Sequence, residues 1–166
     1  MEGMNDPCHQ WQPGRRCIDP DHHRRVRRTR ARIWQIYADP RQLEKIWGPP
    51  TYPATVVDHE FAPGGRVTYY MTGPEGDKHA GYWNIVSVDE PTGFTFTDGF
   101  ADADFTPIES MPVSTNEFSF EDKGGSTVAT YVSTYATAEG LQQVLDMGVV
   151  EGSSQAIGQI DDLIRG

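Results

Sequence analysis

Hydrophobic positions early in the chain recur three and four residues apart, which is the spacing of one helix face. This spacing predicts two short helices, Ala31–Ala38 and Arg41–Ile46. Asp39 and Pro40 separate them, because aspartate caps a helix start well and proline suits a first helical turn. The two prolines that follow Trp47 and a glycine end the second helix, since proline cannot continue one.

From position 54 onwards the hydrophobic period is two, which indicates β-strands separated by turns rich in glycine, proline and acidic residues. The connections are short, so neighbouring strands are expected to be antiparallel. The longer stretch Asp98–Pro112 is expected to be irregular. The six predicted strands are Ala54–Phe61, Arg66–Thr72, Lys78–Val88, Gly93–Thr97, Val113–Phe120 and Thr127–Tyr135.

The chain closes on a third helical pattern, predicted as one long helix, Ala138–Ile164, with Thr137 as its N-cap. Gly148 and Gly152 fall on its core-facing stripe, where a missing side chain either lets the sheet approach or leaves room beneath the helix. Together these elements predict an α+β fold. A curved antiparallel sheet of six to seven strands wraps around the long C-terminal helix, with two short helices near the N-terminus and an internal cavity.

Composition and charge narrow the class of protein. A hydrophobic fraction of 37% over 166 residues suits one globular domain. No apolar window is long enough for a membrane span and no secretory signal is visible, so we expect a cytoplasmic protein. The net charge is −10, and residues 33–166 hold six basic against twenty acidic side chains. Such an acidic body disfavours nucleic acid and anionic membranes as partners.

The first 32 residues have the opposite charge, with eight arginines against four acids. Three interpretations of the run HHRRVRRTRAR stay open: a nucleic-acid-binding arm, a solvated tail, or a shifted reading frame that replaces a strand-forming peptide. We therefore predict residues 1–30 as an atypical arginine-rich segment whose first strand is missing or altered, and residues 31–166 as a single domain. Cys8 and Cys17 are interpreted as free thiols, since their spacing to nearby histidines matches no common zinc pattern.

Four stretches of the chain carry a resemblance to a known superfamily. They are RIWQIYADPRQLEKIWGPP, FAPGGRVTYYMTGPEG, GYWNIVSVDEPTGFTF and FEDKGGSTVATYVSTYATAEGLQQVLDMGVVEGSSQAI. The chain resembles the SRPBCC (START-like, helix-grip) superfamily, in the branch named after the activator of heat-shock-protein-90 ATPase. The similarity covers about Ala31 to Ile164. It implies an N-terminal strand, two short helices, the remaining strands of an antiparallel sheet, and a long C-terminal helix that encloses a cavity.

Standard catalytic and metal-binding motifs are absent from the sequence, and no catalytic residue, metal ligand or cofactor is predicted. His59 and His79 lie on different strands and are interpreted as surface or half-buried residues rather than general bases. The acids at positions 98, 102, 104 and 109 do not have calcium-loop spacing, so a solvated acidic loop is expected. Phe100 and Phe105, apolar residues in that loop, suit a mobile lid.

The aromatic residues exceed what closing a small sheet requires, and ligand cavities are lined mainly by such side chains. For each ring alone, simple filling of the core is an equally good interpretation. Glu151, between the buried stripe and the surface of the last helix, is the candidate polar anchor. The predicted ligand-binding residues are Trp34, Tyr37, Trp47, Tyr69, Met71, Trp83, Phe94, Phe96, Phe118, Tyr131, Met147 and Glu151.

These residues favour binding of a hydrophobic or lipid-like small molecule in an internal cavity, without catalysis. Two alternatives stay open. One is an enzyme of the polyketide cyclase/aromatase kind, in which the cavity folds a reactive chain. The other is a cochaperone-like protein that stimulates a chaperone ATPase, as the branch name implies. A homodimer and a chaperone are the further candidate partners.

Overall fold

The computed structural model describes residues 15–17, 25–26, 29–124 and 126–165. Two short strands, β1 (Arg15–Cys17) and β2 (Arg25–Val26), lie in the arginine-rich segment. Both pair antiparallel with the last strand of the sheet, which would otherwise be an open edge. Cys8 and most of the basic run lie outside the described residues. The free thiols, the atypical character of residues 1–30 and its three interpretations therefore stay predictions.

Two helices open the main body: α1 (Arg30–Ala38) and α2 (Pro40–Ile46). The Thr29 side chain caps α1 by accepting a backbone N–H of its first turn, and Asp39 caps α2 in the same way. Pro40 occupies the first turn of α2, where its missing N–H costs nothing. Both helices and the junction between them agree with the sequence prediction.

Six further strands form a continuous antiparallel meander in which each strand pairs with its sequence neighbours. The predicted antiparallel sheet is confirmed. One strand runs further than predicted, into the stretch expected to be irregular, and this extension shapes the cavity described below. The strands are β3 (Ala54–His59), β4 (Arg66–Thr72), β5 (Lys78–Asp89), β6 (Gly93–Ala101), β7 (Ser114–Lys123) and β8 (Ser126–Tyr135).

The C-terminal helical stretch is divided in two, and the prediction of one continuous helix is wrong. Helix α3 (Ala138–Asp146) begins at Thr137, whose side chain accepts the Gly140 N–H at 3.0 Å. Gly148 has a φ of +76°, a left-handed conformation that ends the helix, and α4 (Val149–Arg165) follows at once. No helix in the described part of the chain is both long and apolar enough to cross a bilayer.

The inner face of the sheet changes from aromatic to polar along the strands. Three rows cross β6, β7 and β8 side by side, and their registers place them in the order Phe94–Phe118–Tyr131, Phe96–Asn116–Ser133 and Asp98–Ser114–Tyr135. The aromatic row packs against α1, where the Trp34 and Phe94 rings are T-shaped with their centroids 5.9 Å apart. The hydrophobic core therefore occupies one end of the sheet and leaves the polar row at the other.

Candidate functional site

A cavity of about 450 Å³ lies between the inner face of the sheet and helices α3 and α4. This volume is within the range of small-molecule sites. The junction after α2 contributes Trp47 and Pro49 to the wall, and the two C-terminal helices contribute Leu145 and Ile157. The strands contribute the polar row together with apolar side chains such as Met71 and Phe118, so the polar groups of the wall lie mainly on the sheet side.

Asp98 supplies the one carboxylate among the described residues that line the cavity. Its Oδ1 accepts a hydrogen bond from the Tyr69 hydroxyl at 2.8 Å. Asp98 is partly exposed, and it lies on the wall of the cavity. Burial raises the pKa of Asp98 to about 7, and the Tyr69 hydrogen bond acts in the opposite direction. At neutral pH this carboxyl is therefore close to half-ionised.

Tyr69 reaches Asp98 because its pairing partner on β5 is a glycine. Gly81 pairs with Tyr69 across the two strands, and a side-chain carbon at Gly81 would overlap the tyrosine ring. The absence of that carbon lets the ring lie across β5 towards β6. Burial and the nearby Asp98 charge raise the pKa of Tyr69 well above its ordinary value, while the Trp47 indole opposes the shift. Tyr69 is therefore a neutral hydrogen-bond donor.

Three small polar side chains beside Asp98 bond to one another. The Ser133 hydroxyl donates to the Asn116 amide oxygen at 2.5 Å, and the Asn116 amide nitrogen donates to the Ser114 hydroxyl at 3.0 Å. All three are buried, so these bonds offset the cost of placing polar groups away from water. Tyr135 completes the polar row, and burial, followed by the Asp98 charge, raises its pKa to about 12.

A pair of tyrosines joins the first helix to the last strand at the inner end of the cavity. The Tyr37 hydroxyl donates to the Tyr131 hydroxyl at 3.0 Å, and both rings are almost fully buried. Burial raises the pKa of Tyr131 to about 12 and that of Tyr37 well above its ordinary value. Both hydroxyls are therefore neutral at physiological pH.

The predicted site residues fall into three groups. Seven of them line the cavity: Tyr37, Trp47, Tyr69, Met71, Phe118, Tyr131 and Met147. Four others pack into the core instead, because they lie in the aromatic rows nearer α1 or behind the Trp47 ring: Trp34, Trp83, Phe94 and Phe96. Glu151 is exposed and does not line the cavity, so it is not the polar anchor that the sequence analysis expected.

Asp98 is the residue that sequence reasoning missed, although the signal was present. Phe94 and Phe96 point to the inner face of the sheet from β6. Because side chains alternate along a strand, Asp98 and Phe100 point to the same face when the strand continues past Thr97. The prediction ended the strand at Thr97 and assigned the aspartate to a solvated loop. A strand that continues to Ala101 places the same side chain on the cavity wall.

The structure also locates the two phenylalanines expected to form a lid and the two histidines of the main domain. Phe100 lies on β6 and lines the cavity as part of a strand, so it is a wall rather than a lid. Phe105 does not line the cavity, and its carbonyl accepts a hydrogen bond from Arg66. The His59 ring bonds the Tyr37 carbonyl at 2.9 Å, while His79 bonds Asp77 and also lines the cavity.

Several solved structures of other proteins have a similar fold. Solved structures that it resembles include protein Ms6760 from Mycobacterium smegmatis, with 66% identity and a TM-score of 0.78 over 84% of this chain and 85% of that one. A protein from Arthrobacter aurescens is 42% identical, with a TM-score of 0.79 over 82% and 80% of the two chains. No curated protein matches the sequence.

A more distant protein from Staphylococcus epidermidis, 24% identical, shares the fold with a TM-score of 0.80 over 94% of this chain and 92% of that one. The family model described as Activator of Hsp90 ATPase homolog 1-like protein matches residues 27–165. That range contains both short helices, the six-stranded meander and the divided C-terminal helix. The chain therefore belongs to the family of Activator of Hsp90 ATPase homolog 1-like proteins.

Proposed function

We propose that this protein binds a hydrophobic or lipid-like small molecule in the cavity between the sheet and the C-terminal helices. The composition of the cavity wall supports this proposal. The wall is mainly apolar and aromatic, with side chains such as Trp47, Met71 and Leu145 beside one polar row. An apolar ligand that displaces water from such a wall gains free energy, and a few polar groups orient it.

The test is uptake of a neutral fluorescent apolar probe, N-phenyl-1-naphthylamine, by the full chain. Gly152 lines the cavity on α4, and an added Cβ there meets only Pro49, at an ordinary 3.8 Å. The position therefore has room for a longer side chain beside the cavity. We expect Gly152→Phe to reduce probe affinity at least tenfold, whereas the matched control Gly152→Ala retains it.

Two results would contradict the proposal: no probe uptake by the wild-type chain, or equal uptake by Gly152→Phe that retains native circular dichroism. Displacement of the probe by decanol gives a second measurement that does not depend on the folding of any variant. Failure of decanol to compete would place the probe outside the cavity.

An acid–base enzyme is the second candidate, and the Asp98–Tyr69 pair supports it. A buried carboxyl whose pKa is about 7 can both accept and donate a proton near neutral pH. A cyclisation of the polyketide kind would need such a group beside a bound carbonyl chain. Under this candidate Asp98→Asn retains ligand binding and abolishes turnover of a poly-β-carbonyl substrate. Unchanged turnover would exclude Asp98 as the acid or base.

Stimulation of a chaperone ATPase is the activity in the description of the family. It requires a docking surface for the chaperone rather than a cavity, so the cavity lends it no support. Measuring the ATPase rate of a purified chaperone with and without this protein separates it from the other two functions.

A further inference from the structure

Asp98 lies in the cavity wall and, among the described residues, makes no ion pair with a lysine or arginine. Among the described residues that line the cavity there is no lysine or arginine. The ion pairs among the described residues use other acids: Glu44, Asp77, Glu121 and Asp122. The hydrogen bond that Asp98 accepts comes from Tyr69, a neutral donor at one of its two oxygens. A negative charge on Asp98 is therefore left for a ligand to neutralise.

Aromatic rings surround the same part of the cavity. Trp47, Tyr69, Phe100 and Tyr135 all line it together with Asp98. The faces of such rings carry partial negative charge and attract a cation, most strongly when water is excluded. A carboxylate within an aromatic wall is thus suited to a positively charged nitrogen.

The chain as a whole carries net charge of the same sign as Asp98. The chain has a net charge of −10, and the loop that follows β6 exposes Asp102, Asp104 and Glu109. A surface of one sign raises the local concentration of ligands of the opposite sign. A cationic ligand would be attracted to this protein, and a fatty acid or other organic anion would be repelled.

We propose that the ligand of this cavity is an amphipathic amine, whose protonated nitrogen pairs with the free oxygen of Asp98 and whose apolar body packs against α3 and α4. This inference rests on the proposed ligand-binding function and names the ligand class. A neutral alcohol could also donate to Asp98, but it would leave the buried charge uncompensated, which is costly away from water. Leu141, Leu145 and Ile157 supply the apolar surface opposite the carboxylate.

The first experiment compares three ligands that share one apolar chain: decylamine, decanol and decanoate. Each is titrated calorimetrically into the full chain at pH 7.5. We expect decylamine to bind at least tenfold more tightly than decanol, and decanoate to bind most weakly. In Asp98→Asn the preference for the amine disappears while decanol binding persists. The matched control, Asp102→Asn in the exposed loop, keeps the wild-type order.

The second experiment is the pH dependence of decylamine binding between pH 5.5 and 8. Because only the ionised carboxylate pairs with the amine, affinity rises with pH and levels off above about 7, where burial places the pKa of Asp98. Tyr69 and Tyr135, which face Asp98 from β4 and β8, stay neutral because burial raises the pKa of both. His79 on β5 also lines the cavity.

Two variants show which residue causes the pH dependence of decylamine binding. Asp98→Asn should remove the rise in affinity, and His79→Gln should keep it. Equal binding of the three ligands, or a rise with pH that survives in Asp98→Asn, overturns the amine proposal, while decanol binding still supports the hydrophobic site. Binding of none of the three overturns both proposals. If Asp98→Asn does not fold, the order of ligand affinities in the wild type and the pH titration of His79→Gln still test the amine proposal.

Discussion

Moving the Asp98 carboxyl from water to the cavity wall costs free energy whenever that carboxyl is ionised, since no lysine or arginine compensates it among the described lining residues. The neighbouring wall positions carry serine, asparagine and tyrosine, which hydrogen-bond without charge. A single residue therefore determines the electrostatics of the site. Its effect reaches both the binding of ligands and the stability of the fold.

We expect Asp98→Asn to make the protein more stable at high pH than the wild type. The folded-state pKa of Asp98 is about 7, against an ordinary 3.8, so the protonated group is favoured by folding and stability falls as pH rises towards 7. Between pH 5 and 8 the wild type should lose roughly 2–3 kcal/mol relative to Asp98→Asn, at about 1.4 kcal/mol per pKa unit.

Urea unfolding at several pH values measures this difference, with Asp102→Asn as the control because its exposed carboxylate shapes only its own loop. A stability difference between wild type and Asp98→Asn that stays constant from pH 5 to 8 would refute the assignment of a buried, destabilised carboxylate.

At the scale of the elements, the division of the C-terminal helix depends on backbone conformation at one glycine. Gly148 adopts the left-handed conformation and ends α3, whereas Gly152 lies within α4 and needs no special conformation. Both glycines line the cavity. Two glycines of similar appearance in the sequence therefore have different structural roles.

Substitution by alanine should separate those roles. Gly148→Ala is expected to destabilise the fold by about 1–2 kcal/mol, because alanine disfavours the left-handed conformation. Gly152→Ala is expected to stabilise it by up to about 1 kcal/mol, because alanine has the higher helix propensity and its Cβ fits beside Pro49. Chemical unfolding monitored by far-ultraviolet circular dichroism measures both. Equal effects of the two substitutions would show that α3 and α4 are one helix in solution.

At the scale of the whole molecule, charge is unevenly distributed. The body carries fourteen more acids than bases over residues 33–166, and repulsion between like charges opposes compact folding. The salt bridges among the described residues include exposed pairs such as Lys123–Glu121, which contribute little in water. Net repulsion therefore outweighs the attraction of these pairs.

Raising the ionic strength should stabilise this protein. Salt at about 0.3 M shortens the Debye length below ~6 Å and screens the repulsion among the acids. We expect the thermal midpoint to rise by a few degrees between low salt and about 0.3 M sodium chloride, measured by circular dichroism at pH 7.5. A midpoint that falls would mean that ion pairs, including those of the arginine-rich segment, dominate the electrostatic energy.

The sequence by itself determined the order of the two short helices and the six strands of the meander, the antiparallel pairing and most strand bounds, because hydrophobic period and turn residues are local signals. It also marked Trp47, Tyr69 and Met71 as inward-facing, since such aromatic and apolar positions face either the core or the cavity.

Only the tertiary structure decided how the inward positions divide between core and cavity. Phe94 and Asp98 share one strand and one face, but the first meets α1 and the second meets open space, because the helices cover different ends of the sheet. Burial of the Asp98 carboxyl depends on strands that are distant in the sequence, which no local pattern reports. Local periodicity therefore predicts the fold, whereas the chemistry of the site depends on the packing of elements that are distant in the sequence.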